Sequence, residues 1–277
     1  MEVNTFKVIF LAFVQGLGEF FPISSSGHLV ITQYYLGLKG DMLSLDILLH
    51  AGTLLALLIF FSQEIMNIFK HLLTTPWRKW WKHPNGSIFL FILLACIPTG
   101  IIGLLGKNFF EKMFHSTSWA TIGFLLTGNI LLLCNFWNFK QLSETDLIQS
   151  GNKNALIVGT IQGFSIIPGI SRSGSTISCL YALGYNLKEA GKISFLLSIP
   201  AVLGAVLLQS PKLLVTGIQG LSLIQAILGF SISFITGYLV LKILMRMLSS
   251  GKNFFRFGYY CCFLGLFLTF FEAIYGN

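Results

Sequence analysis

Charged residues are scarce in this chain. Only 10% of its 277 residues are Asp, Glu, Lys or Arg, whereas a soluble domain usually has about 25%, and 54% are hydrophobic. The mean hydropathy of +0.77 favours a protein embedded in a lipid bilayer. This composition argues against an ordinary soluble enzyme.

Two other functional classes lack support in the sequence. The five cysteines lie in or beside apolar segments without metal-ligand spacing, so we interpret them as small core residues. The net charge of +8 would suit a nucleic acid. However, the basic residues lie in loops between apolar runs, a pattern that reflects membrane sidedness. We therefore expect membrane lipids as partners and no nucleic acid.

Apolar runs of about 20 residues indicate membrane-spanning helices. Two longer runs, near 7–37 and 154–185, are each interrupted by a polar loop. A polar stretch at 138–153 divides the chain into halves of similar layout. The uninterrupted runs lie near 43–62, 87–106, 117–137, 190–209, 219–244 and 257–275.

The two interrupting loops resemble each other. Gln15 to His28 reads QGLGEFFPISSSGH, and Gln162 to Ser175 reads QGFSIIPGISRSGS. Both have Gln-Gly, four residues, Pro and then Ile-Ser-x-Ser-Gly, with one additional residue, Gly169, in the second. Such an echo half a chain apart indicates a duplicated unit.

The layout predicts an all-α polytopic membrane protein with an inverted-topology repeat. Each half would combine a re-entrant helix pair with three transmembrane helices; the alternative is that each interrupted segment makes two short spans. Either way the number of crossings in each half is odd, three or five, which inverts the second half. The first repeat spans 1–137 with motif loop 15–28, and 138–153 forms a cytoplasmic connection. The second repeat spans 154–277 with motif loop 162–176.

Sidedness follows from the Lys and Arg residues. Placing 63–86 in the cytoplasm puts most of the 18 basic residues on that side. We expect both termini on the opposite side of the membrane.

The second loop has the composition of a phosphate cradle. Arg172 offers a planar fork of donors, and a helix beginning near Gly174 would direct its positive end at an anion. The alternative is a structural turn in which Arg172 pairs with Glu19. The number of donors favours the cradle. Its other predicted phosphate-binding residues are Gly169, Ser171, Ser173 and Thr176.

The first loop has the composition of the reactive partner. Ser24, Ser25 and Ser26 are candidate nucleophiles, Ser24 and Ser26 are also candidate phosphate-binding residues, and His28 is a candidate acid or base. Glu19 could orient a serine or His28, or hold a divalent cation. The supporting candidates are Gln15, Gln162 and His50, with Asp46 as a second possible metal ligand.

These motifs resemble the two signatures of the bacterial undecaprenyl-diphosphate phosphatase, or bacitracin-resistance, family. The signatures are (Glu/Gln)-x-x-x-Glu, matched by Gln15 and Glu19, and Pro-Gly-x-Ser-Arg-Ser-x-x-Thr, matched by Pro168 to Thr176. Many members have Glu in place of Gln15. The catalytic residues implied by the resemblance are Glu19, Ser25, His28 and Arg172.

The resemblance also implies an activity. It is the hydrolysis of C55 polyprenyl diphosphate to the monophosphate and inorganic phosphate at the outer face of the cytoplasmic membrane. This reaction recycles the lipid carrier of cell-wall synthesis. The resemblance further implies a divalent cation, Mg²⁺ or Ca²⁺.

Other functions fit parts of the pattern. Inverted repeats with broken segments are also typical of transporters, so a flippase for polyprenyl phosphate is an alternative. A second class of membrane phosphatase needs a histidine after its Ser-Arg pair, and none follows Arg172. A homodimer remains open.

Overall fold

The computed structural model describes residues 4–38, 42–136, 144–216, 221–251 and 253–275. All regular secondary structure in these ranges is helical, which confirms the all-α prediction. Two short 3₁₀ turns cover Trp77–Lys82 and Phe254–Arg256. The α-helices are α1 (Thr5–Phe20), α2 (Ser25–Tyr35), α3 (Leu43–Phe60), α4 (Ser62–Thr74), α5 (Pro84–Leu105), α6 (Lys107–Met113), α7 (Thr117–Phe136), α8 (Glu144–Phe164), α9 (Arg172–Ala182), α10 (Leu187–Thr216), α11 (Leu223–Ser250) and α12 (Phe257–Tyr275).

The uninterrupted apolar runs form the long helices of the fold. Within the described ranges, five segments in α5, α7, α10, α11 and α12 are long and apolar enough to cross a bilayer. A sixth, α3 with α4, passes the same test although it bends by 67°. The bend falls where the apolar run gives way to Ser62, Gln63 and Glu64. These helices fit a multi-pass membrane protein.

Short helices fill the two interrupted segments. α1 has 16 residues and α2 has 11, so they are about 24 Å and 16 Å long. α1 packs against α2, and α8 packs against the 11-residue α9. Pro22 ends α1 because a proline disfavours the helical conformation of the residue before it, and Phe21 is extended. The predicted connection 138–153 lies partly outside the described residues, and α8 begins within it.

The two halves pack on each other in a reciprocal pattern. α1 lies along α11, and α8 lies along α5. α3 contacts α10, and α7 contacts α12. Small residues allow these approaches: a Cβ on Gly16 would meet the Thr236 Cβ at 2.7 Å, and one on Gly159 would meet the Ala95 carbonyl oxygen at 2.1 Å. The first helix of each interrupted segment thus packs against a long helix of the other half.

Candidate active site

The two motif loops touch through glycines. A Cβ on Gly27 would lie 2.7 Å from the Gly169 Cα. Gly169 has φ +88°, and its own Cβ would meet the Ala120 carbonyl oxygen at 2.1 Å. Only a residue without a side chain tolerates both the left-handed backbone and this approach to α7. The additional glycine of the second loop therefore allows the two loops to meet.

A buried threonine on α7 holds the second loop in place. The Thr127 Oγ1 donates to the Gly169 carbonyl at 2.8 Å and accepts from the Ser171 amide at 2.9 Å. Both bonds go to the backbone, so they fix the loop whatever its side chains are. No motif surrounds Thr127 in the sequence, so the sequence did not predict it as a site residue.

Glu19 is the centre of the polar network. It is 8% exposed, and its Oε2 accepts from the Ser25 Oγ at 2.8 Å and from the Gln15 Nε2 at 3.0 Å. Its Oε1 accepts from an Arg172 terminal nitrogen. The His50 Nε2 lies 3.7 Å from Oε2. Four other predicted residues, from both loops and α3, thus converge on the Glu19 carboxylate.

Arg172 and Glu19 form a largely buried ion pair between the loops. Burying either charge alone would cost several kcal/mol, on the order of the desolvation penalty of a single ion. Pairing the guanidinium with the carboxylate offsets that penalty for both groups. The other terminal nitrogen of Arg172, Nη1, is buried and has no hydrogen-bond partner within the described residues. This guanidinium can therefore pair with Glu19 and still donate to an anion.

The first loop turns through a strained serine. Ser24 has φ +65°, a conformation that costs on the order of 1–3 kcal/mol outside glycine. Its side chain begins α2 by accepting from the Gly27 amide at 3.3 Å, and its Oγ lies 3.2 Å from that of Ser26. This turn aims the Ser25 hydroxyl at Glu19.

His28 pairs with a residue that the sequence did not indicate. Its Nδ1 lies 2.8 Å from the Ser24 carbonyl oxygen, and its Nε2 lies 2.7 Å from the Tyr260 hydroxyl. The two rings stack with centroids 5.8 Å apart. The Ser25 hydroxyl therefore hydrogen-bonds to Glu19, whereas His28 hydrogen-bonds to Tyr260. The sequence alone had left Glu19 and His28 as alternative partners of the serine.

Most polar groups of the second loop serve its own helix. The Ser171 Oγ begins α9 by accepting from the Gly174 amide at 3.1 Å and lies 3.2 Å from the Ser173 Oγ. The Thr176 Oγ1 donates to the Arg172 carbonyl at 2.7 Å and lies 2.6 Å from the Ser194 Oγ. Thr176 therefore braces α9 against α10.

The remaining predicted residues, Asp46 and Gln162, bond to residues other than Glu19. The Asp46 Oδ1 accepts from the Gln33 Nε2 at 2.7 Å, and the Asp46 carbonyl lies 2.7 Å from the His50 Nδ1. The Gln162 Nε2 donates to Thr99 at 3.3 Å. Among the described residues, no three His, Cys, Asp or Glu side chains form a ready metal cluster.

Known proteins resemble this chain over nearly its whole length. A family profile described as "Bacitracin resistance protein BacA" matches residues 8–267. An undecaprenyl-diphosphatase of Halothermothrix orenii is 40% identical over 279 residues, which cover 99% of this chain and 100% of that protein. One of Carboxydothermus hydrogenoformans is 40% identical over 98% of each chain. One of Methanosphaera stadtmanae is 39% identical over 95% of this chain and 96% of its own. These matches confirm the resemblance seen in the motifs: the chain belongs to the bacitracin resistance protein family.

Proposed function

We propose that this chain is an integral-membrane phosphatase that hydrolyses undecaprenyl diphosphate. The products are inorganic phosphate and undecaprenyl phosphate, the lipid carrier of cell-wall synthesis, and the activity gives the family its link to bacitracin resistance. The family match and the names of the relatives support the reaction. The observation that carries the site is the buried Glu19–Arg172 pair with the Ser25 hydroxyl on the same carboxylate.

We propose that the second loop binds the diphosphate. The unpartnered Nη1 of Arg172 gives it a donor for a phosphate oxygen in addition to the one used by Glu19. The Ser175 hydroxyl is also buried without a partner in the described chain. The hydroxyls of Ser171 and Ser173 and the positive end of α9 add to the attraction. Ser24 and Ser26 contribute from the other loop.

Glu19 is the base for the attack. Its Oε2 accepts the Ser25 proton at a distance of 2.8 Å, so the serine oxygen can form a bond to the terminal phosphorus as that proton moves to the carboxylate. The bond from this phosphorus to the bridging oxygen breaks, and undecaprenyl phosphate leaves. Water then hydrolyses the phosphoserine. Arg172 balances the charge that develops on the phosphoryl oxygens.

His28 and Tyr260 are the second proton-handling pair. The hydrogen bond at Nδ1 fixes the ring, so Nε2 and the tyrosine hydroxyl share one proton at 2.7 Å. Because Nδ1 donates its proton to the Ser24 carbonyl, the neutral ring accepts at Nε2, so Nε2 can take a proton from the hydrolytic water.

The donor set fits a divalent cation that is shared with the substrate. Mg²⁺ is often held by one or two carboxylates together with substrate phosphates. Glu19 supplies a carboxylate, and the Gln15 Oε1 is a buried oxygen with no partner in the described chain. These two side chains would hold Mg²⁺ or Ca²⁺, which would neutralise diphosphate charge, and Asp46 on α3 would be an additional ligand.

We propose that the fold is an inverted repeat of 1–137 and 154–277, with the active site facing the outer side of the cytoplasmic membrane. The reciprocal packing of α1 on α11 and α8 on α5 supports it. α1 and α2 are each shorter than the roughly 30 Å apolar layer, which suits a re-entrant pair.

Phosphate release from undecaprenyl diphosphate tests the proposal. Purified protein in detergent should release phosphate, and EDTA should suppress the release. A folded protein that binds polyprenyl phosphate but releases none would instead favour the flippase that the reciprocal packing also permits.

A further inference from the structure

An open cavity lies away from the motif loops. It has a volume of about 660 Å³ and is open at the surface, between the ends of α3 and α11 and the beginning of α10. Three cations line it: Lys188, Lys242 and Arg246. Phe60 and Met245 give it an apolar wall, and two serines at the end of α11 complete its lining. None of these residues takes part in the polar network around Glu19.

The distance between the cavity and the active site follows from α3 and α10, the helices that connect them. Thr53 bonds Gln15, and Phe60 follows it on α3 by seven residues, or about 10 Å along the axis. Ser194 bonds Thr176, and Lys188 precedes it on α10 by six residues, or about 9 Å. The cavity therefore lies toward one end of these helices. The distribution of basic residues predicts that this end faces the cytoplasm.

No carboxylate of the described residues neutralises the cations of the cavity. Neither ion pair found among the described residues includes them, and no carboxylate lines the cavity. The nearest acid in sequence, Glu189, accepts from the Asn186 side-chain amide at 2.6 Å. Three unpaired positive charges around an open cavity favour an anionic occupant.

The apolar wall identifies the kind of anion. A free inorganic phosphate gains nothing from contact with Phe60 and Met245, whereas a lipid can place its phosphate among the cations and its acyl chain against these side chains. Basic pockets between transmembrane helices at the cytoplasmic side are suited to anionic headgroups. We propose that this cavity binds an anionic glycerophospholipid, and this inference does not depend on the proposed catalytic mechanism.

Titration of the purified protein with dioleoyl phosphatidylglycerol tests this proposal. Bound lipid is counted by native mass spectrometry, with dioleoyl phosphatidylcholine as the neutral probe. The double variant Lys242→Gln/Arg246→Gln should bind phosphatidylglycerol about 25-fold more weakly, since each cation near the membrane surface contributes about fivefold. Lys188→Gln alone should lose about fivefold, and it replaces the double variant if the latter does not fold.

The matched control removes the same charge elsewhere. Lys70→Gln/Lys79→Gln neutralises two exposed cations on the same predicted side, outside the cavity, and should change the affinity less than twofold. An equal loss in this control, or equal binding of phosphatidylcholine, would overturn the proposal. Displacement of the lipid by equimolar inorganic phosphate would make the cavity a simple anion site. Preferential binding of polyprenyl phosphate over phosphatidylglycerol would make it a product site.

Discussion

Replacing Gly169 with alanine tests the contact between the two loops. The new Cβ would lie 2.1 Å from the Ala120 carbonyl oxygen and 2.8 Å from the Gly123 Cα. Both obstacles are backbone atoms of α7, so the loop itself must move, by roughly 1 Å. A displacement of this size can cost about a hundredfold in rate. We expect kcat/KM of Gly169→Ala to fall by about two orders of magnitude.

The chain offers a matched control for backbone strain. Gly251 also has a positive φ, +66°, but a Cβ there would meet nothing within 4 Å. Both alanine variants carry the left-handed penalty of about 1–2 kcal/mol, and only Gly169→Ala adds the clash. Gly251→Ala should therefore lower the unfolding temperature slightly and keep near wild-type activity.

Phosphate release and thermal unfolding in the same detergent separate these effects. Gly169→Ala should lose activity in a protein that still elutes as a folded species. Equal activity of the two alanine variants would show that the loops need not approach each other, and it would refute the geometric argument.

Three further substitutions address the chemistry. Ser25→Ala should lower phosphate release about 10³-fold or more if this hydroxyl attacks the phosphorus, and a loss below tenfold would favour water. Tyr260→Phe should reduce kcat at least about tenfold and alter its pH profile, because the loop histidine loses the hydroxyl at 2.7 Å; Tyr259→Phe, at the exposed neighbouring position, should do neither. Gln15→Glu sets a second carboxylate beside Glu19, where the amide now donates at 3.0 Å. It should unfold at a lower temperature in EDTA and regain stability with Mg²⁺ or Ca²⁺, and identical melting with and without metal would argue against a cation there.

The sequence predicted the helices because a bilayer imposes a length on apolar runs. All the uninterrupted runs became long helices, apart from the bend between α3 and α4. That bend depends on a local change from apolar residues to Ser62, Gln63 and Glu64, which a window of about 20 residues averages out.

The sequence also predicted that the two motif loops meet, but it did not predict all of their contacts. The echo of the two motifs predicted a shared site, and Glu19, Ser25 and Arg172 do meet in it. Thr127 and Tyr260 were missed because each acts through one hydroxyl from a distant apolar helix that has no motif of its own. Only the tertiary packing brings these two hydroxyls to the site, and no local sequence pattern predicts that packing.

The roles of some predicted residues stay open for a similar reason. Asp46 was a possible metal ligand, but whether its carboxylate turns toward Glu19 or toward Gln33 depends on the path of α3 past α2. The structure has the bond to Gln33. A role for Asp46 in metal binding therefore stays a prediction.

The central claim is that a partly buried arginine and a buried carboxylate from opposite halves of the chain form a single hydrolytic site. The most direct measurement is phosphate release from undecaprenyl diphosphate by Arg172→Ala and Glu19→Ala, beside Arg78→Ala as an exposed control. We predict that both site variants lose nearly all turnover and that the control keeps it. Near-normal phosphate release by either folded site variant would contradict the account.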